Sequence, residues 1–255
     1  MEHSTNGISL SIFFPVYNDW GTIGSMAALA IATAEQITSD FEVILVNDGS
    51  GESTLEVLNF LEKNFPQLRV IHHKKNRGYG GALKSGFNAA TKDYIFYTDG
   101  DAQYDVRELK KLVSAMRPGI DIVNGYKIKR NDPWYRIVIG KLYHTVTKLA
   151  FGFTIRDVDC DFRLMRRGIF DRIHLEHNSG VICVEMIKKM HDVGCRFAEV
   201  PVTHFHRASG KSTFFKFRRI ARVGVDLTKL WWRLVVKKQS QLKHPVHARA
   251  HEIVS

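Results

Sequence analysis

The chain has 255 residues, 44% of them hydrophobic and 25% charged, which excludes a disordered polymer and suits one globular domain with a sizeable core. Its formal net charge of +11 favours an anionic partner, whether phosphorylated substrate, lipid surface or nucleic acid. Three scattered cysteines, Cys160, Cys183 and Cys195, exclude a disulfide framework and a CxxC site, and no stretch reaches the roughly 18 uncharged apolar residues of a spanning helix.

The opening MEHSTNG lacks the basic and apolar regions of a secretory signal, so a cytoplasmic location is expected. Short β-branched or aromatic runs then predict strands at Ile8 to Phe14, Phe41 to Asn47, Leu68 to His73, Asp93 to Asp99 and Ile120 to Tyr126. Helix-compatible segments lie between them. Ser53 is the predicted cap of a helix running to Phe65, and Asp105 the cap of one over 106–116. This alternation predicts an α/β fold, with a mostly parallel sheet covered by helices on both faces.

After Tyr126 the chain turns basic and aromatic, with Arg136 and Lys141 in a segment of helical spacing, and DVDCDFRLMRR follows. A helix over 181–194 and a strand within 195–205 restore the alternation. Further on, Phe217, Ile220, Leu227, Leu230, Trp231 and Leu234 recur at three- and four-residue steps with cations largely elsewhere. That pattern predicts an amphipathic helix lying in a membrane interface; packing on the domain or on a second subunit is the alternative. The predicted organisation is a catalytic domain over 1–211, the amphipathic helix over 212–238 and a poorly ordered tail over 239–255.

In open parallel sheets, ligands bind beyond the carboxyl ends of the strands. Asp99 and Asp101 stand two apart just past the fourth predicted strand, with Gln103 two further on. Adjacent anionic oxygens repel unless a cation sits between them, and hard oxygen donors suit Mg²⁺ or Mn²⁺. The bland alternative is a solvated turn capping the next helix. Pro15, Tyr17, Asn18 and Asp19 end the first strand, and Asn47, Asp48, Gly49 and Ser50 end the second; all are also ordinary turn residues. NRGYGGALKSG, with Gly80 and Lys84, follows the third strand, where its glycines would let backbone approach a pyrophosphate at a helix N-terminus. Leu83 in place of a third glycine separates it from a dinucleotide fingerprint. Cys160, set between Asp159 and Asp161, has its thiolate disfavoured and is not read as a nucleophile.

PVYND, VNDGS, NRGYGGALKSGF, TDGDAQYD and DVDCDFRLMRR together resemble, in order and spacing, family 2 glycosyltransferases of the GT-A fold. The resemblance is nearest to the polyprenyl-phosphate branch, which includes dolichol-phosphate mannose synthases, and runs from about Ser9 to Thr213. It implies a GT-A domain, Rossmann-like, that moves a sugar with inversion from a UDP- or GDP-linked donor to a polyprenyl phosphate. It further implies that Pro15, Tyr17, Asn18, Asp48, Gly80, Lys84 and Asp99 contact the nucleotide sugar, and that Asp99, Asp101 and Gln103 surround Mg²⁺ or Mn²⁺. Arg163, Arg207 and Ser212, with Lys211 nearby, fall near the acceptor and donor phosphates, and Asp101, Asp159 and Arg163 fall at the catalytic centre. Asp159 either orients the acceptor or assists as a base; an internal salt bridge to Arg163 or Arg166 is the competing account.

A lipid monophosphate, with its second pKa near 6, is already mostly dianionic at neutral pH and needs cations more than a base. Expected partners are therefore the nucleotide sugar, the polyprenyl phosphate and the cytoplasmic face of a membrane, with a second copy of the chain a further candidate. A nucleic-acid partner is not expected, because an acidic pocket repels it. The rival readings are a soluble transferase acting on a saccharide hydroxyl and a non-catalytic membrane- or nucleic-acid-binding module on a transferase fold.

Overall fold

The computed structural model describes residues 7–128, 144–206 and 217–239, with side chains in the last stretch from Arg222 onward. The strands are β1 (Leu10–Val16), β2 (Phe41–Asn47), β3 (Leu68–His72), β4 (Tyr94–Thr98), β5 (Ile122–Lys127), β6 (Phe162–Arg166) and β7 (Phe197–Val202). The helices are α1 (Ile23–Glu35), α2 (Glu52–Asn64), α3 (Tyr79–Ala89), α4 (Leu109–Ala115), α5 (residues 144–151), α6 (Ile182–Asp192) and α7 (Phe217–Trp231).

All seven residues of β1 are buried, as expected of a strand covered on both faces. Alternate side chains feed two cores. Leu10, Ile12, Phe14 and Val16 pack with Ile23, Met26, Ala27 and Ala30 of α1, whereas Phe13 turns to Leu83 and Phe87 of α3. The Phe13 and Phe87 rings meet edge to face at 5.0 Å. A Cβ on Gly86 would sit 2.4 Å from the Phe13 ring, so α3 carries glycine there despite a helix penalty of about 1 kcal/mol relative to alanine.

The sheet order is β3-β2-β1-β4-β6-β5-β7, with β6 antiparallel to both neighbours and every other pair parallel. Thr98 at the end of β4 pairs with Phe162 at the start of β6. The loop entering β6 therefore reaches the same edge as the turns leaving β1, β2 and β4.

Two local expectations need correction. Gly51, not Ser53, occupies the N-cap of α2, and no side chain caps that helix. Four of the six apolar side chains predicted for a membrane face on the α7 segment turn inward, as in the packing alternative: Leu230 and Leu234 are buried with Phe151, Phe153, Val158 and Val184, and Leu227 and Trp231 pack against that cluster; the side chains of Phe217 and Ile220 lie outside the described residues. Trp231 Nε1 also donates to the Ala150 carbonyl at 2.8 Å. The cause is the apolar surface that α5 and α6 would otherwise leave open, where each enclosed leucine contributes about 1.5–3 kcal/mol. Asp105 caps as expected, accepting from the Arg107 amide at 3.0 Å, although the helix opens as a 3₁₀ turn over Val106–Glu108.

Candidate active site

The turn leaving β4 is held from three sides. On the α1 side, the Thr22 hydroxyl donates to the Gly100 carbonyl at 2.7 Å. On the α3 side, the Tyr79 hydroxyl donates to Asp99 Oδ1 at 2.8 Å. Beyond β7, the Phe205 amide donates to the Gln103 carbonyl at 2.8 Å, and Gln103 Nε2 returns a bond to the Phe205 carbonyl at 3.2 Å. Asp101 is buried and accepts from the Gln103 amide at 3.1 Å, which curls the turn. Ala102 adopts a left-handed φ of 58°, a strain of about 1–2 kcal/mol that these contacts sustain.

Burial pushes the Asp99 carboxyl well above its ordinary range, and the nearby charges of Asp161 and Asp101 add to it. Such mutual repulsion between hard oxygens is what a divalent cation relieves. Among the described residues no three His, Cys, Asp or Glu side chains form a ready-made cage. Two carboxylates with an amide fit a Mg²⁺- or Mn²⁺-type ion whose shell is completed by substrate phosphates, and they do not fit a structural zinc.

The turns after β1 and β2 brace each other. The Asn18 amide donates to Ser50 Oγ at 3.1 Å, Asn18 Oδ1 accepts from the Gly51 amide at 2.9 Å, and Asn18 itself has φ 60°. Pro15 lies in β1, and Tyr17 stands out from the edge at 52% exposure, free of the core. Asp48 is enclosed. Its oxygens accept from the amides of Arg77 at 2.7 Å and Gly78 at 2.9 Å, and Oδ1 lies 2.7 Å from His73 Nδ1. Asp48 thus shapes the glycine loop from within.

The glycines of that loop serve a contact inside the protein. A Cβ on Gly80 would lie 2.4 Å from the His177 carbonyl oxygen, and one on Gly78, where φ is 84°, 2.5 Å from the Asn178 oxygen. The Gly80 amide donates to that Asn178 carbonyl at 2.9 Å. The N-cap amide of Gly78 is thus held by Asp48 and the Gly80 amide by Asn178, so these two glycines serve contacts inside the protein. Lys84 Nζ likewise donates to the Glu176 carbonyl at 2.8 Å.

Arg163 departs furthest from its expected place at a phosphate. It is wholly enclosed, because β6 is an interior strand that sets it opposite Tyr97 on β4 and Asn124 on β5. Its Nε donates to Asn124 Oδ1 at 2.6 Å, and the other nitrogens reach the Tyr97 hydroxyl and the Val158 carbonyl. The guanidinium therefore clamps the 157–161 loop, with Asp161 Oδ1 at 3.8 Å. Within the loop, burial pushes the Asp159 carboxyl up to about 6, against the pull of Lys127 and with the push of Asp157 and Asp161. Lys127 Nζ donates to the Asp159 carbonyl at 3.0 Å and lies 3.9 Å from Asp157. Burial, and then the Asp157 charge, lift the Cys160 thiol to about 12, in keeping with an inert cysteine.

Arg207, Ser212, Lys211, Arg136 and Lys141 lie outside the described residues. The backbone leading to Arg207 is nonetheless fixed at the site, since Tyr104 and His204 form an antiparallel bridge across the acid turn. Tyr79, Tyr97, Asn124 and Lys127 were not singled out by the sequence. Tyr79 stands inside the glycine motif; the others become visible only through strand register.

The profile of the family described as Glycosyl transferase family 2 matches residues 11–174. Glycosyltransferase AglD of Haloferax volcanii is 29% identical over 240 residues, 91% of this chain and 38% of its own length. Undecaprenyl-phosphate 4-deoxy-4-formamido-L-arabinose transferase of Proteus mirabilis is 28% identical over 220 residues, 86% of this chain and 66% of its own. The chain thus spans less than two thirds of either relative. Glucosyl-3-phosphoglycerate synthase from Mycobacterium tuberculosis, solved with Mn²⁺, uridine diphosphate and phosphoglyceric acid, superposes with a TM-score of 0.66 at 14% identity, over 89% of this chain and 78% of that one. Because that profile covers more than half of the sequence, the chain belongs to glycosyl transferase family 2.

Proposed function

We propose that this protein transfers a sugar, with inversion, from a UDP- or GDP-linked donor to a polyprenyl phosphate, using Mg²⁺ or Mn²⁺. The observation that supports it best is the acid turn, where Asp99 and the buried Asp101 converge at the carboxyl edge of the sheet and repel one another. The named relative acting on undecaprenyl phosphate supports the choice of acceptor.

In this reading Asp99, Asp101 and Gln103 hold the cation. The bound ion supplies neutralisation of the departing diphosphate. Pro15 and the exposed Tyr17 present a surface to the nucleotide base, while Asn18, Asp48, Gly80 and Lys84 act at one remove by fixing the turns around it. Arg207 and Ser212, carried on the chain that leaves the bridged Tyr104–His204 segment, receive the acceptor phosphate. Arg163 holds Asp159 and its loop in register.

Membrane contact is assigned to the outward face of α7 and its π-helical extension. Val225, Trp232 and Val236 are exposed along one stripe, flanked by exposed Arg222, Lys229, Lys237 and Lys238. An apolar stripe beside cations suits the headgroup region of an anionic bilayer. Among the described residues no helix is long and apolar enough to cross a membrane.

One observation favours a second reading. The Asp159 carboxyl, lifted to about 6, is poised as a general base for a saccharide hydroxyl. A single assay separates the two: labelled nucleotide sugars are offered with polyprenyl phosphate or with oligosaccharides, with Mn²⁺ or with chelator. Label extracted into organic solvent only with the lipid and the metal is the expected result. Transfer to saccharide alone, or undiminished transfer in chelator, would overturn it.

A further inference from the structure

Tyr79 is the first residue of α3, and its surroundings fix it from behind. The preceding Gly78 amide is bonded to Asp48, and the following Gly80 amide to the Asn178 carbonyl. Residues 176–178 are in turn gathered by Glu185 of α6, which accepts from the Glu176 amide at 3.1 Å and the His177 amide at 3.0 Å. The close approach at Gly78 and Gly80 leaves this strap no room to slide, because any side chain there would strike backbone atoms. The phenol therefore leaves a rigid base, and its hydroxyl arrives 2.8 Å from Asp99 Oδ1 at the end of β4. Asp161, Tyr97 and Cys183 are the other polar groups around it.

We propose that Tyr79 is a positioning residue for Asp99, locking its carboxylate in the orientation that faces Asp101 and so joining the glycine loop and the acid turn into one preorganised unit. This rests on the reading of Asp99 as a cation ligand. A hydrogen bond to one oxygen of a carboxylate fixes its rotamer and leaves the other oxygen for the ion, as the outer partners of metal ligands commonly do. The close approach of His177 and Asn178 gives this loop a reason to carry glycine at 78 and 80.

The test is Mn²⁺ binding by calorimetry to the full chain, with and without uridine diphosphate, for the wild type, Tyr79→Phe, Asp99→Asn and the double variant. Tyr79→Phe should bind Mn²⁺ about ten-fold more weakly, the loss expected of one hydrogen bond to a charged group. Its melting temperature and its affinity for the nucleotide without metal should stay those of the wild type. The double variant should bind no worse than Asp99→Asn, because both changes act through one carboxylate. Wild-type Mn²⁺ affinity in Tyr79→Phe, with Asp99→Asn impaired, overturns the role of Tyr79 alone. Wild-type affinity in Asp99→Asn overturns the cation reading beneath it. If Tyr79→Phe melts early, the cycle still decides: additive losses in the double variant refute the proposal.

Discussion

Lys189 Nζ lies 2.7 Å from Glu185 Oε1 inside α6, and both side chains are almost wholly enclosed. Burial alone would raise the Glu185 carboxyl, but hydrogen bonds from His177 and Lys189 bring it down to about 2 from 4.5. A carboxyl depressed on folding binds fewer protons in the folded state. Its contribution is full above pH 4.5 and is lost as the pH falls towards 2, about 3 kcal/mol in all. Glu185→Gln should remove this part of the acid dependence and cost about 3 kcal/mol at neutral pH, while Lys189 keeps the His174 carbonyl at 2.6 Å and Glu176 Oε1 at 3.4 Å. Denaturant unfolding between pH 2 and 7 measures both; an unchanged acid slope in the variant would contradict the ion pair.

Asp101→Asn should keep the turn, because an amide oxygen can still accept from the Gln103 amide. Transfer should nonetheless fall by about 100-fold or more, since several kcal/mol of charge stabilisation goes with the carboxylate. Product formation alongside circular dichroism checks this. Substantial residual transfer by a folded variant would remove Asp101 from the cation site.

Arg163→Lys distinguishes a clamp from a ligand. A lysine ammonium cannot span Asn124, Tyr97 and Val158 together, so the protein should lose about 2–4 kcal/mol of stability. A phosphate ligand would instead show its loss in the acceptor KM at unchanged melting temperature.

Asp159→Asn separates the two acceptor readings by pH. The folded carboxyl is raised from 3.8 to about 6, so its ionisation burdens the fold increasingly between those values, and the variant should be the more stable protein above pH 6. With a lipid phosphate acceptor, the acidic limb of the rate profile persists in the variant, because it belongs to the phosphate. Disappearance of that limb together with activity would make Asp159 the base.

On α7, opposite faces should respond oppositely. Leu230→Ala opens the cluster it shares with Phe151, Phe153 and Val184 and should cost about 2–5 kcal/mol. Trp232→Glu, at an exposed position, should leave the melting temperature unchanged and weaken binding to anionic vesicles in a flotation assay. Equal flotation of Trp232→Glu and wild type would place membrane contact elsewhere.

Much of the half built from β1 to β4 is legible in the chain itself. β2 occupies Phe41–Asn47 as its apolar run indicates, and the acids after β4 fall at the expected edge. What escapes is whatever depends on pairing between distant strands. Nothing within DFRL marks Arg163 as interior, since its burial follows from β6 inserting between β4 and β5. The glycine motif is ambiguous for a related reason: glycine signals a close backbone approach, and only the fold shows that Asn178 makes one at Gly78 and Gly80. On α7, periodicity located an apolar stripe, but a hydrophobic side chain is equally suited to lipid and to the neighbouring helices, so direction had to come from packing.

The reversed strand has an architectural consequence. Because β6 runs against its neighbours, the chain between β5 and β6 starts and finishes at one rim, opposite the half built from β1 to β4. That excursion closes in the 157–161 loop, whose Asp161 accepts from the Tyr97 hydroxyl of β4 at 3.3 Å and acts by its charge on Asp99. On the proposed function, a chimera that exchanges this excursion only as far as residue 156 should alter the choice of acceptor, whereas one that also exchanges Asp161 should disturb the acid turn.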